Sequence, residues 1–256
     1  MTVPLRGAGV VITRPARQAA GLAREIAALG GAPLIFPAIV ILPPIDPTAL
    51  RELHWDIARY DIAIFVSANA IEYGVGDAAA WPAHILTLAP GPGTAAALAA
   101  VGIGNVRVPK TTMDSEGLLA LPELESVAGK RVVIFRGDSG RELLRSALEA
   151  RGARVTQVEC YRRARPESAA GLVEAWRERR VDAVTLTSSE GLDNLWAIFG
   201  AEARGYLTAT PVFVPHPRIA EHARELGLRE VIATPPADSG LIASLLEYFS
   251  AHQRQS

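Results

Sequence analysis

The chain has 256 residues, of which 49% are hydrophobic and 21% charged, and its net charge at pH 7 is −1. A chain of this length and composition suits a compact protein of two ordinary domains. The near-neutral charge, with no run of Lys or Arg, argues against nucleic acid and an anionic membrane surface as partners. Because Pro90, Gly91, Pro92 and Gly93 interrupt the longest apolar tract, we expect no membrane span or signal segment and a cytoplasmic location.

Short β-rich apolar runs alternate with helical patterns along the whole chain. This alternation predicts an α/β protein with parallel, flavodoxin-like or Rossmann-like sheets and helices on both faces of each sheet. The predicted strands lie at 9–14, 33–36, 61–66, 84–89, 105–108, 131–136, 154–160, 182–187, 211–215 and 230–233.

The first strand and helix recur about 120 residues further along the chain. Val10-Val11-Ile12-Thr13-Arg14 matches Val132-Val133-Ile134-Phe135-Arg136. Later positions keep nearly the same register: Gly30 with Gly152, Asp61 with Asp182, Ser67 with Ser188, and Asp114-Ser115 with Asp238-Ser239. The series predicts an internal duplication and two similar five-stranded lobes.

Two segments interrupt the alternation of strands and helices. Residues 38–43 are extended and flanked by prolines, and residues 158–165 occupy the matching place in the repeat. If both are linkers, residues 1–37 plus 166–256 form one discontinuous lobe and residues 44–157 form the other. The two-stranded linker would allow the lobes to close over a ligand in a cleft. A simple cut near the middle of the chain, giving tandem domains, is the alternative.

Six short motifs follow one another along the chain: Thr13-Arg14-Pro15, Phe65-Val66-Ser67-Ala68-Asn69-Ala70, Gly91-Pro92-Gly93-Thr94-Ala95, Ser115-Glu116-Gly117-Leu118-Leu119, Arg136-Gly137-Asp138-Ser139-Gly140-Arg141 and Thr187-Ser188-Ser189-Glu190-Gly191. With the Val158 to Arg162 segment, their order resembles the uroporphyrinogen III synthase family nearly from end to end. The resemblance implies a bilobal fold with crossed topology. It also implies cyclisation of hydroxymethylbilane to uroporphyrinogen III, with loss of water, inversion of the last ring and no cofactor.

The implied substrate is a linear tetrapyrrole with eight carboxylate arms, which requires many hydrogen-bond donors and a few cations. Ligands of parallel sheets gather at the carboxyl ends of the strands. The predicted substrate-binding residues are Arg14, Ser67, Thr94, Ser115, Arg136, Gly137, Ser188, Ser189, His216 and Arg218. His216 or Arg218 would replace the hydroxyl that is missing where the repeat aligns Ile219 with Thr94.

Each of these residues also has a purely structural interpretation. Ser and Thr before a helix are typical N-caps, and for Ser239 we predict a cap alone. Arg14 and Arg136 end equivalent strands, where arginines often form local salt bridges. Arg141 is expected on a solvated helix face. These alternatives stay open on sequence grounds.

Tyr161 is the candidate catalytic residue, because the resemblance places a functionally important tyrosine on the second linker segment. Its phenol is expected to donate a hydrogen bond or a proton to the departing hydroxyl group, or to orient the substrate. A tyrosine that only packs its ring between the lobes is the structural alternative.

Other chemistries lack their sequence patterns. The histidines show no metal-ligand spacing, and Cys160, the one cysteine, fits a reducing compartment and has no evident base beside it. Gly91-Pro92-Gly93 lacks the third glycine of a dinucleotide fingerprint. These absences predict no metal, and the resemblance implies that no cofactor is needed. We expect a monomer, and the resemblance implies transient hand-over of the substrate from hydroxymethylbilane synthase. A non-enzymatic two-lobed binding or sensor protein remains the alternative.

Overall fold

Short strands and helices alternate along the chain, as predicted, in the computed structural model, which describes residues 4–252. The strands are β1 (Gly9–Ile12), β2 (Ala32–Ile35), β3 (Val40–Leu42), β4 (Ile62–Phe65), β5 (Leu86–Leu88), β6 (Arg131–Gly137), β7 (Arg154–Ala164), β8 (Ala183–Thr185), β9 (Val212–Val214) and β10 (Val231–Ala233). The α-helices are α1 (Ala16–Ala28), α2 (Thr48–Asp56), α3 (Ala68–Gly74), α4 (Pro92–Ala100), α5 (Ser115–Leu119), α6 (Leu143–Ala150), α7 (Ala170–Arg177), α8 (Ser189–Ile198), α9 (Ala201–Ala209), α10 (Pro217–Glu225) and α11 (Ala237–His252). Short 3-10 helices lie at Ile57–Arg59, Ala78–Ala80 and Pro122–Leu124. Within the described residues, no helix is both long and apolar enough to cross a membrane.

One compact unit contains residues 4–40 and 164–252 of the described chain. Its five-stranded sheet has the order β10-β9-β8-β1-β2, with parallel pairing throughout. Val11 packs in a cluster on one face, and Val10 and Ile12 pack in a cluster on the other. Burial on both faces explains why β1 is a continuous apolar run rather than an alternating one.

The other unit spans Ile41–Arg163 and contains the sheet β3-β7-β6-β4-β5. Strand β6 pairs in parallel with β4 and β7, and β4 with β5. Val133 and Phe135 of β6 pack on one face, and Val132 and Ile134 pack on the other. The α/β class with two parallel-sheet lobes is therefore confirmed.

The prediction of a strand at 105–108 is wrong. This segment forms only an isolated bridge between Leu88 and Arg107, and β3 at the opposite edge supplies the fifth strand. Asn105 adopts a left-handed backbone conformation (φ 54°) at the start of this run, and Pro109 after it has no N–H to donate to a ladder. The run is consequently too short for regular pairing.

The segments predicted as linkers contain strands. Residues 38–43 include β3 and residues 158–165 include the last part of β7, and these strands are neighbours in the second sheet. The chain passes from one unit to the other within β3 and at the end of β7.

The two units share a strand order. Counted along the chain from β1, the first sheet has the flavodoxin-like order 2-1-3-4-5. Counted from β6, which the repeat aligns with β1, the second sheet places β7-β6-β4-β5 in the same relative order. A duplication would produce this likeness, and the duplication itself stays a prediction.

Two carboxylates at matching places in the repeat perform the same task in each unit. Asp182 Oδ2 accepts the Gly9 N–H at 2.7 Å, and Asp61 Oδ2 accepts the Arg131 N–H at 2.8 Å. Each bond joins the start of one central strand to the start of its neighbour. The Arg131 N–H is the main reason that the pKa of the Asp61 carboxyl lies below its usual range.

We expect Asp61→Asn to lower the free energy of unfolding at pH 7 by about 0.5 kcal/mol, a value reduced for solvent screening because the side chain is 40% exposed. Because the pKa of this carboxyl is lower in the folded than in the unfolded state, its charge stabilises the folded protein at pH values above the unfolded pKa of about 4. This stabilisation is lost as the pH falls through the folded-state pKa. Urea titrations from pH 7 to pH 3 should therefore show the difference from wild type shrinking with acid. A difference independent of pH would contradict this electrostatic account.

Candidate active site

The candidate site lies at the carboxyl edge of the second sheet, between β4 and β6. In a sheet of order 2-1-3-4-5 the connections leave toward opposite faces at this point, and the gap between them is the usual ligand site. Here a cavity of about 230 Å³, called the Tyr161 cavity below, opens between the chain after β4 and the chain after β6. Its polar lining comprises Ser67, Ser115, Arg136, Ser139, Arg141, Gln157, Tyr161 and Arg163.

The hydroxyl groups of Tyr161 and Ser67 meet in this cavity. They lie 3.2 Å apart, and either can be the donor. Ser67 is also the N-cap of α3, because its Oγ accepts the Ala70 N–H at 3.2 Å. The residue thus caps a helix and also lines the cavity, and its contact with substrate stays a prediction. Tyr161 is only 4% exposed, so its hydroxyl is held at the inner wall of the cavity.

A register shift between β6 and β7 positions Tyr161. Arg136 pairs with Glu159 but Gly137 pairs with Tyr161, so Cys160 is an extra residue on β7. Cys160 and Tyr161 are consequently both buried, although adjacent strand residues normally point to opposite faces.

Gly137 leaves the space that the Tyr161 ring occupies. A Cβ at residue 137 would lie 2.7 Å from Tyr161 Cε2 and 2.8 Å from Cζ. The Asp138 N–H also donates to the Tyr161 carbonyl oxygen at 3.0 Å. Gly137 therefore makes room for the tyrosine, and its contact with substrate stays a prediction.

Arg136 is held by its own loop. Its guanidinium donates to Glu142 Oε1 at 2.5 Å, to the Gly140 carbonyl at 3.0 Å and to the Gly137 carbonyl at 3.3 Å. The residue is 8% exposed, and its hydrogen bond is the main cause of the lowered pKa of the Glu142 carboxyl. This is the local salt bridge considered as the structural interpretation. Binding of a substrate carboxylate by Arg136 stays a prediction.

Thr94 follows β5 as predicted, whereas Ser115 follows the isolated bridge at Arg107, where the predicted strand does not form, and neither residue is an N-cap. Thr94 is the third residue of α4 and does not line the Tyr161 cavity. Ser115 is the first residue of α5 and lines that cavity, whereas Asp114 is the cap and accepts the Gly117 N–H at 2.8 Å. The predicted cap at Ser239 is wrong, because α11 begins earlier, where Ala237 turns the chain with a φ of 70°.

The predicted residues of the first unit lie at the carboxyl edge of its own sheet. Arg14, after β1, forms a salt bridge of 2.6 Å with Asp238. Ser188 caps α8, of which Ser189 is the first residue. His216 caps α10 by accepting the Arg218 N–H at 3.1 Å.

Sequence reasoning missed Arg141. It was expected on a solvated helix face, but α6 begins at Leu143, so Arg141 belongs to the loop after β6 and lines the Tyr161 cavity. The signal available in the sequence was Gly140, because glycine favours turns. Its φ of 131° shows that the turn does continue to this point.

A larger cavity, of about 580 Å³, lies at the edge of the second sheet where the strands begin, beside β5. It is bounded by the chain entering β5, including Trp81 and Ile85, and by the turn after α4 at Gly102. It contains none of the predicted site residues. Among residues 4–252, no group of three or more His, Cys, Asp or Glu side chains is arranged to hold a metal ion.

Comparisons with solved structures agree with the fold. A mutant uroporphyrinogen III synthase from the extremely thermophilic bacterium Thermus thermophilus is 22% identical, with a TM-score of 0.56 over 97% of this chain and 100% of that one. A uroporphyrinogen-III synthetase from Helicobacter pylori is 16% identical, with a TM-score of 0.57 over 94% and 99%. At these identities the likeness shows the α/β architecture of two parallel-sheet units.

Comparisons of sequence are more specific. A family model described as uroporphyrinogen-III synthase HemD matches residues 20–243. The uroporphyrinogen-III synthase of Salmonella typhimurium is 33% identical over 93% of this chain and 99% of its own length, and that of Escherichia coli is 32% identical over the same shares. The chain belongs to the uroporphyrinogen-III synthase family. The non-enzymatic binding or sensor protein finds no support in these comparisons.

Cys160 is expected to be unreactive in the folded protein. Its Sγ lies 3.1 Å from the Arg136 carbonyl oxygen, and burial raises the pKa of the thiol to about 12, so little thiolate forms at neutral pH. Ellman's reagent should release no thionitrobenzoate from native protein and one equivalent after unfolding in guanidinium. Rapid stoichiometric labelling of native protein would contradict this placement.

Proposed function

We propose that this chain is a uroporphyrinogen III synthase, which cyclises hydroxymethylbilane to uroporphyrinogen III with loss of water and inversion of ring D. The observation that carries the proposal is the lining of the Tyr161 cavity, in a chain that belongs to this family. Three arginines, three serines and a tyrosine line it, and no carboxylate does. Such a lining suits the carboxylate arms of a linear tetrapyrrole.

The first chemical step is loss of the terminal hydroxyl group. The bond from the methylene carbon to oxygen breaks, the oxygen leaves as water with one added proton, and a pyrrole N–H gives up one proton as the azafulvene forms. Tyr161 is the proposed donor to the departing oxygen, by hydrogen bond or by proton transfer. Ser67, hydrogen-bonded to the same phenol, holds it in place.

The second task is selectivity, because the azafulvene closes spontaneously to the uninverted isomer. Attack on the azafulvene by the substituted carbon of ring D requires the linear tetrapyrrole to be held in a bent arrangement. Fixing several carboxylate arms supplies that geometry, and excluding water protects the intermediate. In the second unit we propose Ser67, Thr94, Ser115, Arg136 and Gly137 as ligands. In the first unit the proposed ligands are Arg14, Ser188, Ser189, His216 and Arg218.

The reaction loses water without a change of oxidation state, so the proposal includes no cofactor. We further propose that the protein acts as a cytoplasmic monomer and receives its unstable substrate by transient hand-over from hydroxymethylbilane synthase. Relatives that share the family name along nearly their whole length support the substrate class.

The proposed reaction is tested by adding freshly generated hydroxymethylbilane to the purified protein and separating the oxidised uroporphyrin isomers by chromatography. We expect isomer III to dominate and to form faster than the spontaneous product. Isomer I alone, at the rate seen without protein, would contradict the proposed function if circular dichroism shows a folded chain.

The role of Gly137 is tested by Gly137→Ala, whose added methyl group must displace the Tyr161 ring. We expect kcat to fall about tenfold or more, as for Tyr161→Phe, with a rising share of isomer I. Gly171→Ala is the matched control, because a Cβ there meets no atom within 4 Å. Wild-type turnover and isomer ratio in both Gly137→Ala and Tyr161→Phe would show that the phenol has no part in the reaction.

A further inference from the structure

Glu116 and Arg141 form a two-point ion pair at the Tyr161 cavity. Arg141 Nη1 donates to one carboxylate oxygen, and Nη2 donates to the other at 2.7 Å. Glu116 lies in the first turn of α5, next to Ser115, and Arg141 lies in the loop after β6. Because Ser115 and Arg141 both line the cavity, the pair joins its two walls.

The geometry of this pair is the one in which arginine binds any carboxylate, with two parallel N–H to oxygen bonds. Glu116 therefore occupies the donors that a substrate carboxylate would use. It is not itself a lining residue of the cavity.

Arg141 differs from Arg136 in its freedom to exchange partners. The Arg136 side chain is 10% exposed and has three acceptors in its own loop, so its release would dismantle that loop. The side chains of Arg141 and Glu116 are 60% and 51% exposed. Exposed pairs contribute little net stability, so one carboxylate replaces another at small energetic cost.

We propose that Glu116 is an internal substitute for a substrate carboxylate: it occupies Arg141 in the empty protein and is displaced when a carboxylate arm of the tetrapyrrole binds. The proposal rests on the proposed function and adds a regulatory residue to the same site. By competing for Arg141, Glu116 weakens the binding of substrate and product alike. Product release is then faster than three cavity arginines alone would permit.

The test is Glu116→Gln, with Glu116→Ala as a second variant that also removes the hydrogen-bond acceptor. We expect KM for hydroxymethylbilane to fall about two- to fivefold. The dissociation constant of uroporphyrin III, a stable octacarboxylate used as the binding probe, should fall by a similar factor. Arg141→Gln should raise both constants, and adding Glu116→Gln to it should have no further effect.

Glu202→Gln is the matched control. It breaks another exposed two-point pair, with Arg177, at 3.0 and 2.8 Å in the first unit, and should leave both constants unchanged. Unchanged or raised constants in both Glu116 variants, with normal unfolding midpoints, would overturn the proposal and leave the pair as a brace between α5 and the loop. An inactive wild-type protein would instead refute the proposed function.

Discussion

The close approach of the Tyr161 ring to the backbone of Gly137 is the constraint on which the candidate site depends. The ring occupies the space that any side chain at residue 137 would need. From there its hydroxyl reaches Ser67, which in turn caps α3, while its carbonyl accepts the Asp138 N–H. One contact therefore fixes a strand, the loop after the neighbouring strand and the start of a helix. A site held by such coupled contacts is preorganised, as selective closure of a reactive intermediate requires.

Charge is divided unevenly around Tyr161. The cavity on the side of Ser67 is lined by three arginines and no carboxylate. Tyr161 also borders a second cavity, of about 240 Å³, whose charged lining is Asp46, Asp138, Glu159 and Arg162. Among the arginines of the first cavity, Arg136 pairs with Glu142 and Arg141 pairs with Glu116, and of these two pairs only the second is exposed on both sides. The second cavity has an excess of negative charge, which disfavours an anion there.

Much of this arrangement follows from sequence pattern, because burial and chain direction determine it. Apolar runs such as Val10 to Ile12 indicate parallel strands, and the repeat indicates matching strand ends, which places Ser67 at the carboxyl edge. The register shift after Arg136 leaves no such pattern, since one extra residue changes which face Tyr161 occupies without changing composition. Arg136 and Arg141 illustrate the same limit. Their partners, Glu142 and Glu116, are chosen by loop geometry, and hydrophobic periodicity contains no information about it.

The most direct test of the account is a crystal structure of the protein with uroporphyrin III. We expect a carboxylate of the porphyrin in the Tyr161 cavity, within hydrogen-bonding distance of the Arg141 guanidinium, with Glu116 turned away from it. A porphyrin bound instead at the cavity beside Trp81, at the edge of the sheet where the strands begin, with the Arg141 and Glu116 pair intact, would contradict it.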